Sequence, residues 1–562
     1  MDLKKLIAQQ ISIEGSSFVE VLSLLKQSDG INGDYALPCF KFAKAFKRKP
    51  NAIATDLAAS LNKNGIISQA EANNGYLNIF LNRQAVTKQI LESNLDHQNL
   101  VDNTVGKDKT ICIDYSSINI AKPFHIGHLG TTAIGNSLYK IYSALGYNVV
   151  GINYLGDWGT QFGKLIVAYK MWGDGQKVKE EGVRHLQEIY VRFHKEEENN
   201  PLLTEEARAW FRRIEEGDKE ANKLFEFFKE VTLKEVKVVY KRLHVHFDSW
   251  DGESFFNDKM QPIIDTIKEK NLAVFSDGAL IVNLEKYNMP PCLLVKADGA
   301  SLYATRDLAA AKYRYDTYRF DKCLYVVAYQ QNLHFKQFFK VLELMGYEWA
   351  DRLEHVAYGM VSLADGSMST RKGNAVWLVD VLDKAVSKAT EIINQKSPDL
   401  PQKEEIAEKV GVGAVIFSAL SNSRIKDIVF DYDRVLNFDG ETSPYLQYTH
   451  ARCCSILEKA KQTQTESQAP HFDHLNNEES WVVIKLLNNF NEILCDVTDK
   501  NEPSLLANYL IDLAQGYNKF YLAHRVIDKG VNMQARLMLT QAVKNTLCFG
   551  LSLLGIDAPE KM

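Results

Sequence analysis

The run TICIDY, Thr110 to Tyr115, leads into a proline-containing turn, SSINIAKPFHIGHLG, and then into a helical pattern. Leu129, Ala133, Ile134, Leu138, Ile141 and Leu145 recur at helical spacing, and Gly146 closes the run. A second strand-like stretch, YNVVGINYLGDWG, starts at Tyr147. Strand, helix and strand within about 45 residues make a βαβ unit, and a crossover of that kind joins parallel strands. This unit commits the chain to an α/β fold with a parallel sheet.

The rest of the chain is arranged around that sheet. Its 562 residues exceed one ordinary core, so roughly two to four domains are expected. Residues 1–105 read as a small α/β unit. In it FKFAKAFKRKPNAIATDLAASLN gives two helices broken at Pro50, and YLNIFLN alternates as a half-buried strand does. Lys41, Lys44, Lys47, Arg48 and Lys49 form a basic cluster there, suited to a solvated helix face or to nucleic acid. Residues 106–400 carry the parallel sheet, interrupted over 161–247 by charged, helix-periodic sequence that reads as a helical insertion. The α/β texture resumes with ALIVN, CLLVK, CLYVVA and HVAYGMVSL, and from 401 to 562 helices dominate. The expected fold is α/β: a Rossmann-like parallel-sheet domain with a helical insertion, a small N-terminal α/β domain and an α-helical C-terminal bundle.

Composition narrows the function classes. A net charge of −5 gives no global basic field, so nucleic-acid binding would need local patches. No signal-peptide core opens the chain and no run of about eighteen apolar residues occurs, so neither secretion nor a membrane span is expected. The eight cysteines include no CxxC pair, which fits free thiols in a reducing cytoplasm better than a zinc ribbon or a disulfide framework.

The turn at His125-Ile126-Gly127-His128 is where chemistry is concentrated. A helix start presents unpaired N–H groups and partial positive charge. Gly127 admits a ligand to the backbone, Pro123 stiffens the approach and Asn119 adds an amide. Two imidazoles and Lys122 can donate hydrogen bonds to phosphate oxygens as negative charge develops. Packing or metal binding would also use two histidines, but no further ligand lies near in sequence. A second segment, DGSMSTRKGN, is a polar loop whose Arg371 and Lys372 could close over a triphosphate; alone it would pass for a basic surface loop.

Together the two segments resemble the paired signatures of class I aminoacyl-tRNA synthetases. With SLYATRDLAAA, YQQNLHFKQ, SPYLQYTHAR, GDYALPCFKFAK and LGIDAPEKM, the likeness is to the arginyl-tRNA synthetases and extends over nearly the whole chain. The resemblance implies activation of arginine by ATP through an adenylate, then transfer to tRNA, with adenylate formation itself requiring tRNA. It implies ATP with Mg2+ carried by the nucleotide, no protein-held metal, tRNA(Arg) and arginine as partners, a monomer and a cytoplasmic setting. Lys122, His125, His128, Arg371 and Lys372 take catalytic roles, and His125, Gly127, His128, Met368, Ser369 and Lys372 contact ATP. Arginine contacts fall on Ser117, Asn119, His128, Glu253, Tyr303, Asp307 and Gln331. A guanidinium needs carboxylates and oriented acceptors, and Tyr303 and Asp307, four apart, share a helix face.

The chain departs from the family pattern in three places. Ser367 and Thr370 stand where lysines are usual in the second signature, and Lys122 is thought to take over part of that role. Ile118 and Gly130 stand where proline and arginine are common. The C-terminal block resembles an anticodon-binding bundle, where Tyr445, Tyr448, His450 and Arg452 could stack on bases or simply pack. A synthetase for another amino acid, a small nucleotidyltransferase and a non-catalytic RNA-binding relative are the competing readings.

Overall fold

The computed structural model describes residues 3–13, 15–28, 32–61, 65–96, 100–296, 303–363, 376–462, 469–527 and 533–562. In the N-terminal domain β1 (Lys26–Gln27), β2 (Tyr35–Pro38), β3 (Ile67–Asn73) and β4 (Tyr76–Leu81) form an antiparallel sheet in the order β1-β2-β4-β3. The helices Phe40–Phe46 and Pro50–Ser60 pack beside it. Pro50 takes the first helical position, where its missing N–H costs nothing, and Lys47 at φ 50° ends the preceding helix.

The central sheet is fully parallel. β5 (Thr110–Asp114), β6 (Asn148–Ile152), β10 (Lys322–Tyr325) and β11 (Leu353–His355) lie in the order β11-β10-β5-β6. The helix Leu129–Ala144 is the crossover between β5 and β6, as the βαβ reading requires. Five helices between Gln161 and Arg242 form the insertion.

ALIVN and CLLVK do not join the parallel sheet. They form β8 (Ala279–Val282) and β9 (Cys292–Val295), which pair antiparallel with β7 (Ala273–Ser276) in a separate three-stranded sheet. Asp277 and Gly278, at φ 50° and 79°, make the tight turn between β7 and β8. A two-residue turn with both φ positive forces a hairpin and forbids a crossover. Further on, β12 (Val361–Leu363) pairs parallel with β13 (Ile428–Phe430), so one strand lies within the mostly helical C-terminal third.

Four long helices, Ser443–Gln462, Glu478–Lys500, Ser504–Ala523 and Met533–Leu553, build the C-terminal bundle around Trp481, Tyr517, Phe490 and Phe520. The corner between the second and third is locked into the catalytic domain. Asn501, buried and left-handed at φ 49°, donates to Glu354 Oε1 (2.7 Å) and accepts from the Tyr142 hydroxyl (2.9 Å). Glu502 accepts from the Arg424 N–H (3.2 Å), and Arg424 donates to the carbonyls of Asn501 and Ala357. The N-terminal domain docks on the same bundle through Trp481 Nε1, which donates to Asp34 (3.1 Å), and through Arg83, which pairs with Glu478 (2.7 Å). Among the described residues no helix is long and apolar enough to cross a membrane.

Candidate active site

β5 ends at Asp114 on the carboxyl edge of the parallel sheet, where open α/β sheets bind ligands. Asp114 is buried, pairs with the buried Arg314 (2.7 Å) and accepts from the Ser117 hydroxyl (2.7 Å). Ser117 therefore turns its side chain toward Asp114 and braces the loop. Ser116, Ser117 and Ala121 are left-handed, at φ 68°, 44° and 57°. Non-glycine residues in that region cost on the order of 1–3 kcal/mol each and persist only where their surroundings over-determine them. Here the surroundings do so. The Ser116 hydroxyl lies 2.7 Å from the Tyr240 hydroxyl and 2.9 Å from that of Thr132, and the Ala121 N–H donates to Thr232 (2.9 Å). Tyr240 and Thr232 belong to the helix Lys219–Arg242, so the insertion holds the ligand loop in shape.

The histidine turn is folded on itself. His125 Nδ1 accepts from the Gly127 N–H (3.1 Å) and His128 Nδ1 accepts from the His125 N–H (3.2 Å), a reciprocal cap on a single turn. The rings sit 4.0 Å apart between centroids. The tautomer assigned to His125 from its partner carries the proton on Nε2, whereas His128 Nδ1 also lies 3.2 Å from the His125 carbonyl, so its partners are compatible with a proton on either nitrogen. Burial pushes His125 down to about 4, and burial with the neighbouring His125 pushes His128 down to about 3. Both are neutral near pH 7. The turn thus offers two neutral imidazoles beside the N-terminus of a sixteen-residue helix, with Lys122 supplying formal charge.

Gly130 fits by close approach. A Cβ there would lie 2.9 Å from the ring of Tyr358, which is buried against the helix. Ile118, where the family pattern has proline, is buried and its carbonyl accepts from the Gly156 N–H (2.8 Å).

Met368, Ser369, Arg371 and Lys372 lie outside the described residues, as do Ser367 and Thr370. The segment that follows them is stitched to the histidine turn. His125 and Trp377 form an antiparallel bridge, the Ile126 N–H donates to the Val376 carbonyl (3.0 Å) and the Leu378 N–H to that of Phe124 (2.9 Å). The Arg184 guanidinium covers the Trp377 ring at 4.6 Å and pairs with Asp380 (2.5 Å), adding the insertion to the same joint.

The residues matched to arginine binding converge from four segments. Asn119 bridges to Gly156, where a Cβ would meet its Oδ1 at 2.6 Å. Glu253 opens a short turn, Glu253–Lys259, and lies 4.0 Å from Arg306. Burial, reinforced by the carboxylates of Asp307 and Asp157 and opposed by Arg306 and Lys122, raises Glu253 to about 7. Tyr303 and Asp307 start the helix Tyr303–Tyr318, and burial together with the charges of Glu253 and Asp307 raises the Tyr303 phenol. Gln331 is exposed at the turn that begins the helix Asn332–Leu344. A cavity of about 470 Å³ is lined by both Lys122 and Tyr303, with Trp158, Gln161 and Lys164. Most of its remaining lining, Gln187, Tyr190, His194 and Glu197, comes from the insertion.

Three residues given no role from sequence belong to this site. Asp157, fully buried, accepts from the Ser254 N–H and hydroxyl and from Lys229 Nζ, each at 2.8 Å, and so fixes the turn that carries Glu253. A charged residue between the glycines of GDWG was its only local sign. His334 pairs with Asp307, and Trp377 joins the two signature regions. Each contact spans distant parts of the chain, which no local pattern reports. In the bundle, Tyr448 is exposed beneath Arg452 (4.8 Å), whereas His450 is buried against the Pro559 carbonyl.

Comparison with known proteins agrees with this geometry. The family model for the catalytic domain of class I (R) tRNA synthetases matches residues 90–432. Those for the arginyl tRNA synthetase N-terminal domain and the DALR anticodon binding domain match 1–81 and 446–562. An arginine–tRNA ligase of Clostridioides difficile is 51% identical over 532 residues, 94% of each chain. One of Alkaliphilus metalliredigens is 48% identical over 569 residues, 100% of each. The solved arginyl-tRNA synthetase of Thermus thermophilus superposes with a TM-score of 0.84 at 27% identity, covering 100% of this chain and 99% of that one. With a catalytic-domain model matched over more than half of its length and relatives about half identical along nearly all of it, the chain belongs to the arginine-specific class I tRNA synthetases.

Proposed function

We propose that this arginine–tRNA ligase forms arginyl-adenylate between the histidine turn and the acidic cluster of Glu253 and Asp307. The observation that carries this reading is the juxtaposition of two neutral imidazoles with Lys122, whose charge also reaches Glu253. An arginine carboxylate oxygen attacks the α-phosphorus of ATP, the bond to the bridging oxygen breaks, and pyrophosphate leaves. A terminal ribose hydroxyl of tRNA then attacks the acyl carbon and AMP departs. The carboxylate is already nucleophilic, so the protein has to align the reactants and stabilise charge on the phosphates.

His125, His128 and Lys122 serve the phosphates in this reading, and Gly127, whose N–H is given to His125, leaves the nucleotide room by its lack of a side chain. Arg371 and Lys372 close from the second signature, with Met368 and Ser369 against the nucleotide. Glu253 and Asp307 take the guanidinium, Tyr303 and Gln331 border it, and Asn119 holds the α-substituents. Ser117 contributes through Asp114, to which its hydroxyl donates. Mg2+ enters with ATP as part of the substrate. Action as a monomer and a cytoplasmic setting are carried over from the family resemblance alone. A groove on the bundle, about 680 Å³ and lined by Tyr448, Arg452, Lys459, Tyr521 and Arg525, suits unstacked RNA bases.

The test is a charging panel over all amino acids, with arginine-dependent pyrophosphate–ATP exchange measured with and without tRNA. Arginine alone should be charged, and exchange should depend on tRNA. Charging of a different amino acid, or tRNA binding without ATP consumption, overturns the reading.

A further inference from the structure

Asp307 and His334 stand on neighbouring helices, Tyr303–Tyr318 and Asn332–Leu344, with His334 Nε2 2.6 Å from Asp307 Oδ2. The pair is 22% and 25% exposed, so water reaches it but does not flood it. The imidazole is seated on an apolar wall. Its ring centroid lies 5.4 Å from that of Phe338 and 5.6 Å from that of Phe335, both buried, and Phe335 stacks in turn on His355 at 4.1 Å. A ring wedged in this way has one nitrogen fixed on one carboxylate oxygen.

The consequence is geometric. A free carboxylate receives a guanidinium side-on through both oxygens. Here His334 takes one acceptor position of Oδ2, which leaves Oδ1 as the less engaged oxygen for the next donor. The other acidic group of the cluster is Glu253, whose charge, like that of Asp307, reaches Tyr303. A planar cation with several N–H groups can bridge two carboxylates, one oxygen from each, provided that neither rotates.

We propose that His334 is a positioning residue for arginine recognition: by donating to Asp307 Oδ2 it fixes the carboxylate, so that Oδ1 and Glu253 together receive the substrate guanidinium. The inference rests on the assignment of Asp307 to the arginine site, and its test separates the two. Arginine KM, ATP KM and kcat are measured with tRNA present for His334→Leu, His334→Gln and Asp307→Asn. Leucine fills the apolar seat without a donor; glutamine keeps an N–H donor but fits the seat poorly.

His334→Leu should raise the arginine KM about tenfold or more, the loss of one hydrogen bond to a charged acceptor, with kcat and ATP KM within about twofold. His334→Gln should stay within about threefold of the parent. A purely packing role gives the opposite order, because leucine would then be the better substitute. If Asp307→Asn raises the arginine KM while His334→Leu does not, or while His334→Gln is impaired as much as His334→Leu, the inference is overturned and the arginine site stands. If Asp307→Asn leaves the arginine KM unchanged, the site assignment fails and the inference with it. In the double variant Asp307→Asn/His334→Leu the effects should be non-additive, since both remove one contact; simple additivity argues against the proposal.

Discussion

Trp377 is paired across an antiparallel bridge with His125, so the chain leaving the second signature is hydrogen-bonded to the first. The bridge is made of backbone, but its outer face is a side-chain stack. Arg184 from the insertion lies over the indole at 4.6 Å and is tied down by Asp380. Removing the indole should loosen the bridge without touching any group assigned to phosphate. Trp377→Ala is expected to lower kcat about tenfold, roughly 1.4 kcal/mol in the barrier, with arginine KM nearly unchanged. Arg184→Met should cost about two- to threefold. Steady-state kinetics of both variants check this, and an effect confined to arginine KM would contradict it.

At His125 the cap turns Nδ1 onto the Gly127 N–H and leaves Nε2 as the outward donor. A glutamine amide can reach the place of Nε2, whereas the shorter asparagine amide falls near Nδ1. His125→Gln should therefore retain more activity than His125→Asn. Loss of a donor aimed at developing charge costs about 10²–10³ in kcat. Single-turnover adenylate formation is the measurement; equal loss in the two variants would argue against Nε2 as the donor.

In the proposed site Glu253, raised to about 7 chiefly by burial, should make arginine binding pH-dependent. The guanidinium is a cation and prefers the ionised carboxylate, so arginine KM should climb as pH falls through about 7, approaching tenfold per unit. Glu253→Gln should flatten that limb while raising KM throughout. The stability effect has the opposite sense. A carboxyl whose folded pKa lies above its unfolded value destabilises the fold when ionised, so stability falls as pH rises from about 4.5 to about 7. Ligand-free Glu253→Gln should accordingly melt higher than the parent at pH 8, by on the order of 1–3 kcal/mol, and the gap should close below about pH 4.5. Calorimetry across pH reads both ends.

Gly130 and Tyr358 occupy one space. Gly130→Ala puts a methyl group 2.9 Å from the buried ring and should destabilise by about 1–3 kcal/mol. Adding Tyr358→Leu should recover part of that loss, a coupling that a double-mutant cycle in denaturant measures.

Local signals carried much of the fold. The helical spacing after the histidine turn gave the crossover Leu129–Ala144, Pro50 divided two helices, and the charged periodic block became the five-helix insertion. The same signals misplaced ALIVN and CLLVK, since an apolar run looks alike in a parallel and an antiparallel sheet. The Asp277-Gly278 turn was the available clue to the hairpin. At the site the histidine turn stood out in the sequence because its residues are contiguous. Asp157 and Lys229, or Asp307 and His334, become neighbours only once distant helices pack, and a single sequence holds no record of that meeting. Nor does composition announce that Ser116, Ser117 and Ala121 adopt backbone angles usually left to glycine.

The corner at Asn501 and Glu502 also bears on how the molecule comes apart. Its polar atoms are satisfied by Tyr142, Glu354 and Arg424, so peeling the bundle away would break all of these hydrogen bonds at once. Melting of the two lobes should therefore be a single event, and a fragment ending before the bundle would expose a raw seam where the intact chain has an interior.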